Sequence, residues 1–233
     1  MKSTTYSVSE KTKVLILEKA LDLFRSRGFE ATTMRDIATS AKVATGAAYY
    51  YFPSKEAIVA AYYEQVQQKH EKSVRDSLDC AAELRDRLGL LIHSKLDILK
   101  DDRKFLGALF RYTGEPEHPL SVFGEGTKSQ REHSIAIFRE VLGDLELSDE
   151  LRKLLSWAIW MMHLGIILFF IHDDSAEQKR TRALVDGVLD LLAQVLKLAS
   201  SSLVRPFLQP FQSKLAEIFQ QAGPGSEIKT EES

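Results

Sequence analysis

Apolar residues recur at helical spacing near the beginning of the chain. An apolar stripe with steps of three, four and three positions runs through Val14, Leu17, Leu21 and Phe24. This spacing is typical of an amphipathic helix. Gly28 follows two nearby arginines and suits the left-handed position that ends many helices. The pattern therefore predicts a first helix over roughly residues 10–27.

Two short helical segments follow, with a tight break between them. Thr33 can cap the first of them, because Asp36 stands three residues further on, the spacing of a capping box. The break falls at Lys42 and Val43, and the next helix is predicted over residues 44–51. Two short helices about a tight turn are typical of a helix-turn-helix, whose second helix enters the major groove of DNA. Reading of DNA sequence is therefore the leading functional hypothesis.

The rest of the chain has helical patterns and no sustained strand-like alternation. The segment 113–127, which is rich in proline and glycine, is predicted to be a loop. The predicted fold class is all-α, with an N-terminal three-helix helix-turn-helix head and a larger helical domain. Further helices are predicted over residues 54–78, 83–100, 102–112, 128–143, 149–172 and 176–201.

These elements divide the chain into three predicted parts. Residues 1–54 form a helix-turn-helix DNA-binding domain. Residues 55–204 form a larger helical domain, which the long fourth helix joins to the head. Residues 205–233 form a C-terminal short helix and a flexible tail, because the final residues are polar and rich in glycine.

Charge is distributed unevenly, although the whole chain has a net charge of only −2. Residues 1–55 contain nine Lys or Arg against five Asp or Glu, and residues 56–233 contain 22 against 28. Hydrophobic residues make up 44% and charged residues 27%, which is typical of a soluble globular protein. A basic head on an acidic body directs nucleic acid to one end of the molecule.

Compartment and membrane signals favour a cytoplasmic protein. Cys80 is the single cysteine, so no intramolecular disulfide can form, which suits a reducing cytoplasm. The first 13 residues have no apolar segment of the kind found in secretory signals. The most apolar stretch, residues 154–171, contains His163 and is expected to be a core helix rather than a membrane span.

The head carries a set of residues at characteristic positions. They are Gly28, Phe29, Thr32, Thr33, Ile37, Ala38, Ala41, Val43, Gly46, Tyr49, Phe52 and Lys55. This pattern, over about 45 residues, resembles the DNA-binding head of the TetR family of bacterial transcriptional regulators. The resemblance implies an all-α homodimer whose first three helices bind double-stranded operator DNA. It also implies that the helical domain over residues 55–204 is a variable ligand-binding (effector-binding) and dimerisation domain, which binds a small ligand and thereby relieves repression.

The candidate DNA contacts lie in the second and third helices. The amides near Thr33 can hold a phosphate, and Arg35 can reach the O6 and N7 atoms of guanine, with a solvated surface position as the alternative. Thr45 is expected to hydrogen-bond a base or to touch a thymine methyl group. Gly46 allows close approach of the backbone, and Ala47 offers an apolar contact that also favours thymine.

Three consecutive tyrosines end the third helix. Their side chains point in directions about 100° apart, so they cannot all face DNA. Tyr49 and Tyr50 are expected to donate phenol hydrogen bonds to phosphates. Tyr51 is also assigned to DNA contact, with packing in the core or against the fourth helix as the alternative. Lys55 is expected to neutralise a phosphate.

The body offers material for a ligand cavity. Such a cavity needs an apolar lining with a few polar groups that orient the ligand, and plain core packing is the alternative for every residue. The effector itself is not identified by the sequence. The candidate lining residues are His93, Phe105, Leu109, Tyr112, Phe123, His133, Trp157 and Met161.

No catalytic motif is recognisable in the chain. A nucleophile elbow, a Walker loop, an HExxH motif and the Rossmann glycines are all absent from the sequence. The histidines lack the close spacing of metal ligands. We therefore predict no catalytic residue, no metal, no cofactor and no enzymatic activity.

Two long apolar helices are predicted over residues 149–172 and 176–201. The resemblance implies that they pair with their twins in a four-helix bundle and so form the homodimer, since DNA readers of this kind use two-fold symmetry. The core of a monomer is the alternative.

Together these features predict a dimeric repressor that binds a pseudo-palindromic operator and is released by a small apolar or amphipathic ligand. One alternative keeps DNA binding but places control with a protein partner. Another, of a different class, is a helical lipid carrier or enzyme that does not bind DNA.

Overall fold

The computed structural model describes residues 8–78, 83–143 and 145–199, together with Lys214. The predicted short helix and tail over residues 205–233, apart from Lys214, lie outside the described residues, as does Cys80. In the described part the elements are helices throughout, which confirms the predicted all-α class.

Nine α-helices in the described part form two units, a small head and a larger body. The head contains α1 (Val8–Arg27), α2 (Met34–Ser40) and α3 (Thr45–Tyr51). The helix α4 (Lys55–Leu78) leads into the body, which continues with α5 (Leu84–Leu99), α6 (Arg103–Thr113), α7 (Lys128–Val141), α8 (Asp149–His172) and α9 (Lys179–Ala199). Short 3₁₀ turns occupy Lys100–Asp102, Glu125–Thr127 and Ala176–Gln178.

The core of the head forms on one side of α1. The buried residues of this helix are Ile16, Leu17, Ala20, Leu21 and Phe24. Val14, which the predicted apolar stripe included, is exposed instead. The buried side of α1 begins at Ile16, and α2 and α4 are among the helices that pack against α1. Gly28 ends the helix with a φ of +93°, as its position predicts.

Local signals set the limits of α2 and of the turn after it. The Thr33 hydroxyl accepts a hydrogen bond from the Asp36 amide at 3.2 Å, and the Asp36 carboxylate accepts one from the Thr33 amide at 2.9 Å. These two bonds complete the predicted capping box. Lys42 adopts a φ of +55°, which turns the chain from α2 into α3.

A polar cluster and a ring contact join the head to the body. The Arg25 Nε and Nη2 atoms donate to the two carboxylate oxygens of Asp102 at 2.6 and 3.1 Å. The Tyr62 hydroxyl donates to the same carboxylate at 2.8 Å. Beside this cluster the rings of Phe24 and Phe105 stack with centroids 5.7 Å apart. The head is therefore held on the body through both α4 and the turn before α6.

Residues 114–127, which we term the strap, connect α6 to α7 in an ordered conformation. The Arg131 Nη1 atom donates to the carbonyl oxygens of Val122 and Gly124 at 2.9 and 3.1 Å. A Cβ atom at Gly126 would lie 2.5 Å from the carbonyl oxygen of Pro119, so this close approach requires glycine. The predicted loop therefore forms a fixed wall of the body.

The C-terminal end of α8 is held by an arginine from α6. The Arg103 Nε atom donates to the carbonyl oxygen of Phe170 at 2.8 Å, and Nη2 donates to those of Ile171, at 3.1 Å, and Asp173. The last carbonyls of an α-helix lack the regular partners of its interior, and here the Phe170 carbonyl accepts only a long bond from the Asp173 amide, at 3.4 Å, besides the guanidinium. The guanidinium thus adds a charged donor at this helix end.

We expect the substitution Arg103→Met to lower the free energy of unfolding by about 2 kcal/mol, because it leaves these carbonyls without their charged donor. Urea denaturation followed by circular dichroism measures this change. Lys104→Met removes an exposed cation from the next position of the same helix and is the matched control. An equal loss of stability in both variants would contradict the capping role.

Candidate functional site

The third helix of the head is anchored on one side and open on the other. Ala48 is fully buried and Phe52, four positions later, is 3% exposed, so this side faces the core. Thr45, Gly46, Tyr49 and Tyr50 are exposed on the opposite side. No side chain caps α3, since Ala44 occupies the N-cap position. The exposed side of the helix thus carries small residues at its N-terminal end and two phenols near its C-terminal end. Ala47 is half-buried.

The three tyrosines occupy different environments. The side chain of Tyr50 is 81% exposed, and Tyr49 is also exposed. Tyr51 is half-buried, packs edge-on against Tyr50, and has its hydroxyl 3.2 Å from the hydroxyl of Ser9 in α1. The alternative of packing for Tyr51 is thus supported by a contact within the head. A DNA contact of Tyr51 remains a prediction, and its side chain is less accessible to DNA than those of Tyr49 and Tyr50.

The predicted contacts at the start of α2 differ in their availability. The hydroxyl of Thr33 also donates to the Asp36 carboxylate at 2.6 Å, so both its proton and its acceptor are used inside the head. Hydrogen bonds from the side chain and the amide of Thr33 lower the pKa of Asp36. The capping role is confirmed, and a phosphate contact of Thr33 remains a prediction. Arg35 is exposed beside this box.

Lys55 has a contact within the protein that its sequence position does not reveal. Its Nζ atom donates to the carbonyl oxygen of Phe29 at 2.7 Å and lies 4.5 Å from the centroid of the Phe29 ring. The ammonium has three donors, so phosphate binding remains a prediction beside this structural role. Lys42 is exposed in the turn immediately before α3 and is a cation that the sequence interpretation did not assign to DNA.

The body contains a partly open cavity of about 180 Å³ beneath the strap. Residues of α4, α5, α6, α7, α8 and the strap form its walls. Most of the lining is apolar, with principal side chains from Val66, Leu99, Leu106, Phe110, Trp160 and Ile167. The lining residues with polar groups are Tyr63, Gln67, Lys95, Thr113, Thr127, Gln130, Arg131, Ser134 and His163. This composition fits a site for a small organic ligand.

The cavity wall does not include any of the eight residues that the sequence analysis selected for it. On α6 the selected residues Phe105, Leu109 and Tyr112 face the head or the core, and the ring of Tyr112 lies 5.9 Å from that of Phe29. The residues of α6 that line the cavity are Leu106, Phe110 and Thr113, each one position later. One position is a rotation of about 100° on a helix, so the predicted residues of α6 lie outside this cavity although the same helix lines it.

The same difference of face occurs on α8, and the histidines lie elsewhere. Trp157 packs edge-on against Trp160, Met161 is exposed, and the exposed Phe123 contacts Trp160 from the strap. The residues of α8 that reach the cavity are Trp160, His163, Leu164 and Ile167. The Nε2 atom of His93 lies 3.1 Å from the Asp186 carboxylate on α9, and that of His133 lies 2.7 Å from Glu71.

Burial determines the charge of the polar groups at the cavity. It lowers the pKa of Lys95 to about 8, against a smaller opposing effect of Glu71. Burial, followed by the positive charges of Lys95 and His70, lowers the pKa of His163 to about 3. Burial likewise lowers the pKa of His70 to about 4, and its Nε2 atom lies 2.8 Å from the carbonyl oxygen of Leu91. At neutral pH the two histidines are therefore uncharged, and Lys95 carries the positive charge.

An apolar face lies open on α8 and α9. The exposed apolar side chains of this face are Met161, Leu168, Phe169, Leu184, Leu191 and Val195. By length and composition α8 could also cross a membrane, and 33% of its most apolar window is buried. A core helix of a soluble protein passes the same test. Among the described residues, no group of three His, Cys, Asp or Glu is placed to hold a metal ion.

A three-helix head with an exposed third helix, joined to a helical body with an internal cavity, defines a helix-turn-helix regulatory protein. The family model described as "Bacterial regulatory proteins, tetR family" matches residues 16–62. The model described as "Tetracyclin repressor-like, C-terminal domain" matches residues 87–229, more than half of the chain. The chain belongs to the TetR family.

Individual relatives agree with this assignment. The HTH-type transcriptional regulator YuxN of Bacillus subtilis is 44% identical over 62 residues, which cover 25% of this chain and 21% of YuxN. The HTH-type transcriptional repressor KstR2 of Rhodococcus jostii is 33% identical over 108 residues, covering 42% of this chain and 53% of KstR2. The chain thus spans about half or less of the length of these curated relatives.

A solved structure agrees in fold. The transcriptional regulator FadR of Bacillus subtilis in complex with stearoyl-CoA superposes with a TM-score of 0.60. The match covers 77% of this chain and 97% of that chain at 20% identity. At this identity the similarity shows the shared fold.

Proposed function

We propose that this protein is a cytoplasmic repressor that binds a pseudo-palindromic DNA operator as a homodimer and is released by a small apolar or amphipathic ligand. The observation that carries the proposal is the outer side of α3, where Thr45, Gly46, Tyr49 and Tyr50 are exposed while Ala48 and Phe52 hold the helix on the core. A helix held in this way can enter a major groove without loss of the head's own packing.

The open apolar face of α8 and α9 supports the dimer. On α9 the exposed residues Leu184, Leu191 and Val195 are spaced by seven and four positions, so they lie along one side of the helix. On α8 the exposed Gly165 lies between Met161 and Leu168, and a Cβ atom there would meet nothing within 4 Å. A second copy would cover this apolar surface, and Gly165 would permit close approach of its helices.

The position of the cavity supports control of the head by a ligand. α6 directs Leu106 and Phe110 to the cavity and Phe105 to the ring of Phe24 in the head. α4 likewise directs Tyr63 to the cavity and Tyr62 to the cluster with Arg25. A ligand that displaces either helix would alter the spacing of the two heads and so shift an equilibrium away from the DNA-binding arrangement.

Selection of random duplexes on the purified protein tests this function. We expect a two-fold symmetric consensus whose half-sites are about one helical turn apart, and an affinity that falls steeply with salt. A protein that stays monomeric and binds no duplex at low ionic strength would exclude the proposal. A symmetric consensus without any response to small ligands would favour control by a protein partner.

Two substitutions on α3 separate base reading from backbone contact. Tyr49→Phe removes a phenol donor, so we expect binding to all duplexes to weaken by a similar factor, of about 5-fold for each head. Thr45→Ala should instead change the preferred base at one or two positions of the half-site. Competition titrations with a panel of single-base operator variants measure both effects. A uniform loss in both variants would show that Thr45 does not read a base.

A further inference from the structure

The cavity contains an ammonium group that has no carboxylate partner. Lys95 of α5 lines the cavity, and its Nζ atom donates to the Oε1 atom of Gln67 at 2.8 Å. No carboxylate of the described residues forms an ion pair with it at 4.0 Å or less. The charge therefore faces a mainly apolar cavity with one neutral hydrogen-bond acceptor from the protein.

The nearest acidic group is separated from Lys95 by the amide of Gln67. The Nε2 atom of Gln67 donates to the Glu71 carboxylate at 3.1 Å, while its Oε1 atom accepts from Lys95. The same carboxylate lies 2.7 Å from the His133 ring, which is half exposed. Glu71 is thus used by partners at the outer side of the cavity, and it compensates the charge of Lys95 only from a distance.

A second polar group at the same wall lacks a partner. His163 is 6% exposed, and its Nδ1 atom is buried with no hydrogen-bond partner within the protein. Its ring lines the same cavity as Lys95. A buried polar atom without a partner is costly, and such atoms in folded proteins are commonly satisfied by water or a ligand.

The rest of the lining accounts for the other part of the ligand. Apolar side chains dominate the wall, and Arg131 is engaged by two carbonyl oxygens of the strap. Those carbonyl oxygens occupy its Nη1 atom but do not neutralise its charge, whereas the Lys95 ammonium has one neutral acceptor from the protein. Lys95 is therefore the cation with fewer protein acceptors, and an ammonium group in a mainly apolar cavity matches a negative charge on an apolar body.

We propose that the cavity binds a small apolar carboxylic acid as its anion, with the carboxylate on the Lys95 ammonium, near the unpaired His163 nitrogen, and the hydrocarbon body against the apolar wall. This rests on the proposed function, because it names the class of effector for the same cavity. A cavity of about 180 Å³ is slightly larger than the ~150 Å³ cavity that holds benzene, so the body is the size of one ring or a short acyl chain.

Octanoate and octan-1-ol are the probes, since they have the same chain and differ in charge. Titration of the purified full chain, followed by calorimetry and by the fluorescence of Trp160 at the cavity wall, gives both affinities. We expect octanoate to bind at least about tenfold more tightly than octan-1-ol. Equal affinities, or no binding of octanoate by a protein that binds its operator, would overturn the proposal.

Lys95→Met tests the role of the ammonium and keeps the length of the side chain. We expect the variant to lose the preference for octanoate and to bind octan-1-ol as before. Lys69→Met, which removes an exposed cation from α4, is the matched control and should retain the preference. An unchanged affinity of Lys95→Met for octanoate would exclude Lys95 as the partner of the carboxylate.

The unsubstituted protein provides a test that does not depend on the folding of a variant. Because the pKa of Lys95 is about 8, the affinity for octanoate should fall by up to tenfold for each pH unit above that value. The other titratable groups around the ammonium are Tyr63, His70, Glu71, Arg131, His133 and His163. The test covers roughly two pH units, from about 7.5 to 9.5. Burial lowers the pKa of His70 and His163 and raises the pKa of Tyr63, so none of these three groups titrates in that range. A flat profile over this range would contradict the proposal.

The two proposals fail in different ways. Octanoate binding that depends on Lys95, in a protein that ignores every duplex, would support the acid site and remove the repressor function. Octanoate binding without any change in operator affinity would support the site and remove its role in release. Operator binding without octanoate binding would support the repressor function and remove the acid site.

Discussion

Leu191→Glu is expected to convert the proposed dimer into monomers and to lower operator affinity by about 100-fold or more. Leu191 is 62% exposed in the isolated chain and lies at the centre of the open apolar face on α9. In a dimer each copy would bury one new carboxylate without a partner, which is strongly unfavourable. A single head would then bind one half-site and lose the gain in effective concentration that the second head provides, commonly a factor of 10² to 10⁴.

Sedimentation of the variant and titration of a full operator measure the two effects. Lys197→Glu places the same side chain at an exposed position on another side of α9 and should leave both properties unchanged. Both variants should bind an isolated half-site as weakly as the unsubstituted protein. A dimeric Leu191→Glu protein would show that the partner covers a different face.

Asp102→Ala is expected to lower the free energy of unfolding by about 3 kcal/mol and to loosen the head from the body. The carboxylate accepts hydrogen bonds from Arg25 in α1 and Tyr62 in α4, and its own side chain is largely buried. Its removal leaves the buried hydroxyl of Tyr62 without an acceptor, which costs about 1–3 kcal/mol. It also removes the anion of Arg25, which costs less, about 1 kcal/mol, because water reaches this guanidinium.

The chain allows the two units to be observed separately. Trp157 and Trp160 are the only tryptophans, and both lie on α8 in the body, so their fluorescence reports the body, whereas circular dichroism reports all helices. In urea the two signals should coincide for the unsubstituted protein and separate for Asp102→Ala, with the dichroism changing first. Asp101→Ala removes the adjacent exposed carboxylate and is the control. Coincident transitions in Asp102→Ala would show that ring packing alone couples the units.

The limits of the helices in the head follow from signals a few residues long. The capping box of Thr33 and Asp36 starts α2, the Ser54 hydroxyl accepts from the Ala57 amide at the start of α4, and Gly28 ends α1. Each signal acts within one helical turn, so neighbours distant in sequence are not needed to recognise it. For this reason the predicted helices agree with the structure to within a few residues at most ends.

Roles that depend on distant partners were less predictable. Tyr51 meets Ser9, which is 42 positions away, and Lys55 meets the carbonyl group of Phe29, which is 26 positions away. Nothing near Tyr51 or Lys55 in the sequence indicates these partners. The tertiary structure reveals a structural role for each of these two residues. Their predicted DNA contacts remain predictions.

A sequence signal for the cavity cation did exist. On α5 the buried residues Leu88, Leu91, Ile92, Leu96 and Leu99 form the apolar side of the helix. Lys95 stands three residues after Ile92 and four before Leu99, so it belongs to that side. A lysine in the middle of an apolar stripe is rare unless it has a partner, and it was the residue of α5 to select in place of His93.

The amino-acid sequence alone was sufficient for the all-α class, the helix-turn-helix and the family, because caps, turns and apolar periodicity are local properties of the chain. The tertiary structure was needed to decide which side of α6 and α8 faces the cavity and which cations remain free. α8 is apolar on more than one side, and the single apolar side of α6 is broad enough to hold both Phe105 and Leu106, so only the packing of neighbouring helices determines which residues line the cavity. The wall of the cavity, with Lys95 and His163 at its polar end, is therefore a property of the assembled fold.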